Sequence, residues 1–208
     1  MLQQKYITTQ STFFQLLTSY RIKLLVLSEE ELIKACIEGN QRACLELYEL
    51  HKNWLYAICL RYHQNQSDAQ DSLQESFILI YKNLSSYEGK GSFKGWMRMI
   101  TVRCILASFR KKKNIAETDL GNIQDPVNLD FLQELDLDEL KFLIDQLPPG
   151  RKHVFLAHAV DGFSHKEIAE MLDVSEGTSK SQFFHARREL RQALENNIVI
   201  AKKIQHER

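Results

Sequence analysis

The side chains with the most chemistry to offer lie in the run from Val174 to Arg191, VSEGTSKSQFFHARRELR. Lys180, His185 and Arg188 bring cations and N–H donors, Ser181 brings a hydroxyl, and Phe184 brings a flat apolar ring. Such a set makes and breaks no bonds; it holds phosphates and reads base edges. Ser179, Phe183, Ala186 and Leu190 recur at four, three and four residues, so they are expected to face a core. Ser181, Phe184 and Arg188 then point outward, flanked by Lys180 and His185. Ser175 is the expected N-cap, and a short amphipathic segment, Ser164 to Leu172, precedes it across one tight break. Two helices joined in this way place the second in the major groove of DNA. The bland alternative is a two-helix hairpin with a solvated basic face.

A second cluster interleaves aromatic rings with cations. Tyr87, Phe93, Trp96 and Phe109 sit among Lys90, Lys94, Arg98, Arg103, Arg110, Lys111, Lys112 and Lys113, with no acidic residue from Lys90 to Lys113. Unstacked bases need rings to stack on and cations to hold their phosphates, the combination used for single strands. Phe93 and Trp96 are equally readable as core. The formal net charge of the chain is zero, yet residues 114 to 139 hold eight acidic residues and no basic one. Segregation of this kind gives a local positive field despite the neutral total.

A third feature is acidic. On one predicted helix Asp71, Glu75, Ile78 and Lys82 share the side opposite Leu73, Phe77 and Leu84, because positions four and seven apart lie on one face. An isoleucine among charges suggests a partner-docking surface, against the reading of a merely solvated face. The seven histidines form no HExxH and no Cys/His cluster with ligand spacing. No metal, no cofactor and no small-molecule substrate are therefore expected, and an enzyme with a His or Cys site is the remote alternative.

The elements that must position these groups are all helical. Ser28 followed by Glu29, Glu30 and Glu31 predicts a helix start, and its stripe of Leu32, Ile33, Cys36 and Ile37 stops at Gly39. Asn40 caps a second helix with Ala43, Leu47, Leu50, Trp54, Ala57 and Ile58 inward. Ser67 with Gln70 forms a capping box for a third, whose inner stripe is Leu73, Phe77, Ile80, Tyr81 and Leu84. A glycine-bearing loop from Tyr87 to Ser92 leads into a long helix ending near Lys112. Four further helices are expected at about 137–146, 151–160, 164–172 and 176–196. No segment alternates like a strand, and no apolar run reaches the roughly 18 residues of a membrane span. Cys36, Cys44, Cys59 and Cys104 show no CxxC pairing and read as reduced, buried thiols, which favours the cytoplasm.

The resulting expectation is an all-α chain of two small helical domains joined by an acidic linker. Residues 1–27 are an N-terminal tail, or an overlong choice of translation start. Residues 28–113 form the first domain, 114–136 the linker, 137–196 a helix-turn-helix domain and 197–208 a C-terminal tail.

Four segments, SDAQDSLQESF from Ser67, GSFKGWMRMITVR from Gly91, LPPGRKHVF from Leu147 and FSHKEIAEMLDVSEGTSKSQFFHARRELR from Phe163, occur in the order of a known family. Over about residues 30 to 195 the chain resembles bacterial RNA polymerase sigma factors of the short extracytoplasmic-function type. The resemblance implies that Asp71, Gln74, Glu75 and Ile78 dock on the clamp helices of the polymerase largest subunit. It implies that Tyr87, Lys90, Phe93, Trp96, Arg103 and Arg110 melt the minus-ten element and capture a flipped base. It implies that Lys180, Ser181, Phe184, His185 and Arg188 read the minus-thirty-five element, with His165 and Lys166 near its backbone. Arg103 stands where the family commonly has Asn, Ala107 where an Asp is frequent, and Ser179 where an aliphatic is frequent. The implied partners are core RNA polymerase, through its clamp helices and flap, promoter DNA and an anti-sigma factor. The implied role is non-enzymatic and cytoplasmic. A polymerase-independent helix-turn-helix regulator is the alternative.

Overall fold

Ser28 opens the first helix as a capping box. Its hydroxyl accepts from Glu31 N–H at 3.2 Å while the Glu31 carboxylate accepts from Ser28 N–H at 2.8 Å, which satisfies two donors left over by the helix start. This is α1, Glu29–Ile37, in a computed structural model that describes residues 27–112 and 136–206. Gly39, at φ +87°, ends it in the left-handed region that an L side chain resists. Asn40 then caps α2, Gln41–Tyr62, its Oδ1 accepting from Arg42 and Ala43 N–H. The expected N-terminal tail and linker fall largely on residues 1–26 and 113–135, outside the described residues, whereas the expected C-terminal tail, 197–208, is helical as far as His206.

The chain divides into two compact units, residues 1–51 and 52–208, with the boundary inside α2. In the first, Leu32, Ile33, Cys36, Ala43 and Leu47 are buried, and Glu29 Oε1 lies 3.2 Å from the Nε2 of buried His51. Ile37 and Leu50, expected inside, are exposed. The inward row of α2 is Ala43, Leu47, His51, Leu55, Ile58, Cys59 and Tyr62. That face is one step out of phase with the predicted one, because α2 carries apolar residues on two sides and hides a histidine among them. Cys36 and Cys44 are disulfide-bonded, contrary to the expectation of four reduced thiols. The helix–glycine–helix turn brings positions eight apart together, a contact that no CxxC search detects. Cys59 and Cys104 do remain free and buried, and burial, then the neighbouring Cys104, pushes the Cys59 thiol up to about 12. With one pair oxidised, cysteine usage no longer argues for a reducing compartment.

In the second unit α3, Gln66–Asn83, is capped by Asn65 rather than by Ser67, with Asn65 Oδ1 accepting from Asp68 N–H at 2.8 Å. A 3₁₀ turn, Leu84–Ser86, and a loop with Gly89 and Gly91 at positive φ lead to α4, Phe93–Lys112. α3 packs on α4. Leu73, Phe77 and Ile80 of α3, Leu84 of the 3₁₀ turn, and Met97, Val102, Ile105 and Leu106 of α4 are buried.

Asp136 caps α5, Leu137–Gln146, and Pro149 starts α6, Pro149–Phe155, where its missing N–H costs nothing. α6 runs on as a π-helical turn, Leu156–Val160, to Asp161 and Gly162. Ser164 and Glu167 form the capping box of α7, His165–Leu172. Asp173 ends it at φ +58°, a left-handed conformation that a short polar side chain tolerates. Ser175 caps α8, Glu176–His206, through Thr178 N–H at 2.9 Å, as expected. α8 runs ten residues past its expected end because nothing after Asn196 breaks a helix. It packs against α5, α6 and α7. Among the described residues there is no strand, so the all-α expectation holds.

Candidate nucleic-acid interface

Residues α7, the turn at Asp173 and the start of α8 form the helix-turn-helix that the spacing predicted. Ser179, Phe183, Ala186 and Leu190 face the core, with Ser179 and Ala186 fully buried. Of the outward candidates, Lys180 and Arg188 are exposed and Phe184 and His185 are half-buried. Lys180 pairs with Glu176 at 2.7 Å, and this contact holds the Glu176 carboxyl below its usual range. Burial, then Arg151 and Arg188, lowers His185. Ser181 departs from the expectation. It is buried, and its hydroxyl donates to Thr178 O at 3.0 Å, so in this conformation it offers nothing to a base edge. The cause is a second packing face: α8 is covered by α5 and α6 as well as α7, which makes its buried arc wider than one stripe.

The structure adds a groove lined by Phe184, Arg187, Arg188 and Arg191, beside which the Arg187 guanidinium lies 5.9 Å from the centroid of the Phe183 ring. The spacing of Phe184, Arg188 and Arg191, four and then three residues along one helix face, is the available signal. His165 is half-buried and Lys166 exposed at the start of α7. His165 stacks on His158 with centroids 4.1 Å apart, and its Nδ1 lies 3.0 Å from Ser179 Oγ. Burial first, then His158 and Lys180, depress His165 to about 4.

The second cluster does assemble. Tyr87, Phe93 and Trp96 form an aromatic triad with centroids 5.0, 5.5 and 5.6 Å apart. Tyr87 donates its hydroxyl proton to Gly91 O at 2.9 Å, which folds the glycine loop back on the ring. Phe93, however, is only 3% exposed. It supports Tyr87 and Trp96 from below and is not itself available for stacking, a correction that follows from its place at the first turn of α4 against α3. Trp96 and Arg103 line a further groove with Leu79, Asn83, Met99 and Ile100, about 440 Å³ in volume and large enough for a flat ring. Arg103 and Arg110 are exposed, and so is Lys90, which pairs with Glu88 at 2.6 Å.

On α3 the acidic face is open to solvent. Asp71, Gln74, Glu75, Ile78 and Lys82 are all exposed, with Ile78 at 53%. Ser72 and Ser76 are buried on the opposite side, where Ser76 donates to Ser72 O at 2.6 Å. Among the described residues no group of three His, Cys, Asp or Glu could hold a metal ion, and no helix is long and apolar enough to cross a membrane.

Two family models match in order: "Sigma-70 region 2" over residues 47–115 and "Sigma-70, region 4" over residues 137–190, together more than half of the chain. The first match contains α3 and the aromatic triad, the second the helix-turn-helix. The chain is 30% identical over 156 residues to the ECF RNA polymerase sigma factor SigE of Mycolicibacterium smegmatis, covering 72% of this chain and 60% of that relative's length. It is 28% identical over 188 residues to the ECF RNA polymerase sigma-E factor of Haemophilus influenzae, covering 83% of this chain and 96% of the relative. A solved structure of the sigma factor RpoE with the anti-sigma factor NepR from Bartonella quintana aligns over 72% of this chain and 95% of its own, at 20% identity and a TM-score of 0.46.

Proposed function

The chain belongs to the sigma-70 family, among RNA polymerase sigma factors of the extracytoplasmic-function type, and on that premise we propose that it binds core RNA polymerase and directs initiation at a defined set of promoters. Family membership makes it a non-catalytic initiation factor. One observation carries the proposal: the two matched regions fall, in order, on the open acidic face of α3 with its neighbouring aromatic triad and on the helix-turn-helix of α7 and α8. We take residues 28–113 and 137–196 as the two functional domains.

In this reading Asp71, Gln74, Glu75 and Ile78 dock on the clamp helices of the polymerase largest subunit. A carboxylate rim around an exposed apolar residue suits a basic, partly apolar partner. Trp96 and Tyr87 offer ring faces to an unstacked minus-ten base, and Lys90, Arg103 and Arg110 hold its phosphates. Extruding a base costs a few kcal/mol, which stacking at about 1–3 kcal/mol per base largely offsets. Lys180, Phe184, His185 and Arg188 contact the minus-thirty-five duplex, Lys166 its backbone, and the free amides at the start of α8 a phosphate. The helix-turn-helix half also meets the polymerase flap. An anti-sigma factor is a further partner, and the cytoplasm is the site of action because the polymerase works there.

Reconstituted transcription tests the proposal. Core polymerase plus the purified chain should initiate on templates drawn from promoters occupied after induced expression. Failure of initiation on every occupied template, with the chain bound to DNA unaided, would turn the reading to a polymerase-independent regulator.

A further inference from the structure

We propose that Cys36 and Cys44 form a reversible redox site, a dithiol that a hydroperoxide closes and a small thiol reopens, and that its oxidation state sets how firmly α1 is held on the start of α2. The two sulfurs are joined across the turn between the helices, with Cα atoms 5.0 Å apart. That approach does not depend on the bond. Gly39 N–H donates to Cys36 O at 3.0 Å, Asn40 N–H to Ala35 O at 3.0 Å and Cys44 N–H to Asn40 O at 3.1 Å, while Gly39 at φ +87° reverses the chain. Asn40 Oδ1 fixes the first turn of α2 through Arg42 and Ala43 N–H. A reduced pair therefore stays poised to close again.

The surroundings of the bond suit a switch better than a fixed staple. When it opens, α1 keeps the capping box of Ser28 and Glu31, the buried Leu32 and Ile33, and Glu29 beside His51. A disulfide resists reduction to the extent that breaking it unfolds what it holds, and here those contacts remain. Access differs at its two ends. Cys44 is half-buried whereas Cys36 is 8% exposed, so a reagent reaches the Cys44 sulfur first. Cys59 and Cys104 are kept out of this chemistry because both are buried thiols, and burial pushes Cys59 up to about 12, far from the thiolate form that reacts. From the function proposed above the inference takes only the compartment: in a reducing cytoplasm a disulfide is ordinarily transient, catalytic or redox-sensing.

Closing begins when the Cys44 thiolate attacks a peroxide oxygen. The O–O bond breaks, Cys44 becomes a sulfenic acid, and the alkoxide leaves as an alcohol with the proton that the thiol gave up. The Cys36 sulfur then attacks the Cys44 sulfur, the S–S bond forms as the S–O bond breaks, and hydroxide leaves with the Cys36 proton as water. Two thiols are oxidised, and one hydroperoxide is reduced to an alcohol and water. Opening runs by exchange. A small thiol attacks the Cys44 sulfur, Cys36 leaves and takes up a proton, and a second small thiol resolves the mixed disulfide, so that two small thiols end as one disulfide.

The full chain, equilibrated in glutathione buffers of graded thiol-to-disulfide ratio, quenched with an alkylating agent and read by mass spectrometry, tests the site. Cys36 and Cys44 should convert together within the series. Amide exchange in α1 should quicken several-fold on reduction and return to its oxidised rate after one equivalent of tert-butyl hydroperoxide, with α7 unchanged throughout. Cys36→Ser should hold a sulfenic acid on Cys44 that dimedone captures, and Cys44→Ser should give none on Cys36. In Cys44→Ser the α1 exchange should sit at the reduced rate whatever the buffer. A bond that stays intact, or stays open, across the whole series overturns the proposal. So does capture on Cys36 alone, or oxidation of Cys59 and Cys104 as fast as that of the pair. None of these readouts involves DNA or polymerase, so loss of the redox site and failure of the initiation-factor reading are told apart.

Discussion

The imidazole of His158, in the π-helical turn, stacks on that of His165, the first residue of α7, at an interplanar angle of 25°. His158 Nδ1 lies 2.7 Å from Phe163 O, and His165 Nδ1 is 3.0 Å from Ser179 Oγ, so the pair ties the start of α7 to the core of α8. Held down to about 4, His165 is neutral at pH 7 and would meet a DNA backbone as a hydrogen-bonding ring, not as a cation. The unfolded chain takes up that proton near 6.5, the native ring only near 4. Between those values the unfolded state binds more protons, so stability is full above about 6.5 and falls as pH drops toward 4. His165→Gln should flatten this slope. Denaturant midpoints at roughly pH 7.5 and pH 5 check it, and a wild-type midpoint that stays put between them would count against the buried pair.

Reversing charge with Asp71→Lys and Glu75→Lys should abolish co-elution with core polymerase. Both residues are exposed on α3, away from its buried serines and leucines, so the fold should change by less than about 0.5 kcal/mol. Circular dichroism and gel filtration with core enzyme separate the two effects. Normal holoenzyme assembly by this variant would refute the docking assignment.

Much of this layout is legible in the chain because it repeats locally. The outer face of α3 follows from Asp71, Glu75 and Ile78 at helical spacing, and the helix-turn-helix core follows from Phe183, Ala186 and Leu190. α2 was harder, since Leu50 and Trp54 mark one apolar side and Leu47, Leu55 and Ile58 another, and only packing decides between them. Ser181 lies inside rather than outside because α8 has neighbours on two sides, so that a single stripe understates its buried arc. Phe93 was readable either as core or as a stacking ring, and its burial under Trp96 is a tertiary fact. The Tyr62 hydroxyl donates to Asp161 Oδ2 across 99 positions, and no periodicity relates the two.

Lys180→Ala with Phe184→Ala should erase protection of the upstream element in a footprint while leaving polymerase binding intact. Lys180 is exposed and held only by an i,i+4 pair with Glu176, so its loss should leave stability nearly unchanged. Its separate contribution is electrostatic: Lys180→Ala alone should weaken all sequences alike and lower the salt slope of binding by about one unit. Phe184→Ala should lower affinity at little change in slope. An unchanged footprint in the double variant would remove α8 from promoter recognition.

The Cys36–Cys44 disulfide joins α1 to the first turn of α2 across Gly39 and closes a loop with a sequence separation of 8. In the chain-entropy account a loop of that length restrains the unfolded chain by about 2.5 kcal/mol. Leu32 and Ile33 anchor the same helix by burial, so α1 should loosen on reduction rather than leave the fold. Thiol titration in denaturant should find two reactive groups, Cys59 and Cys104, before reduction and four after it. Cys44→Ser should lower the stability of the first unit by a comparable amount, seen as faster amide exchange in α1, with no change in the exchange of α7 and α8. Four reactive thiols in the unreduced protein would show instead that the pair is open in solution, and α1 would then rest on its cap and its buried face alone.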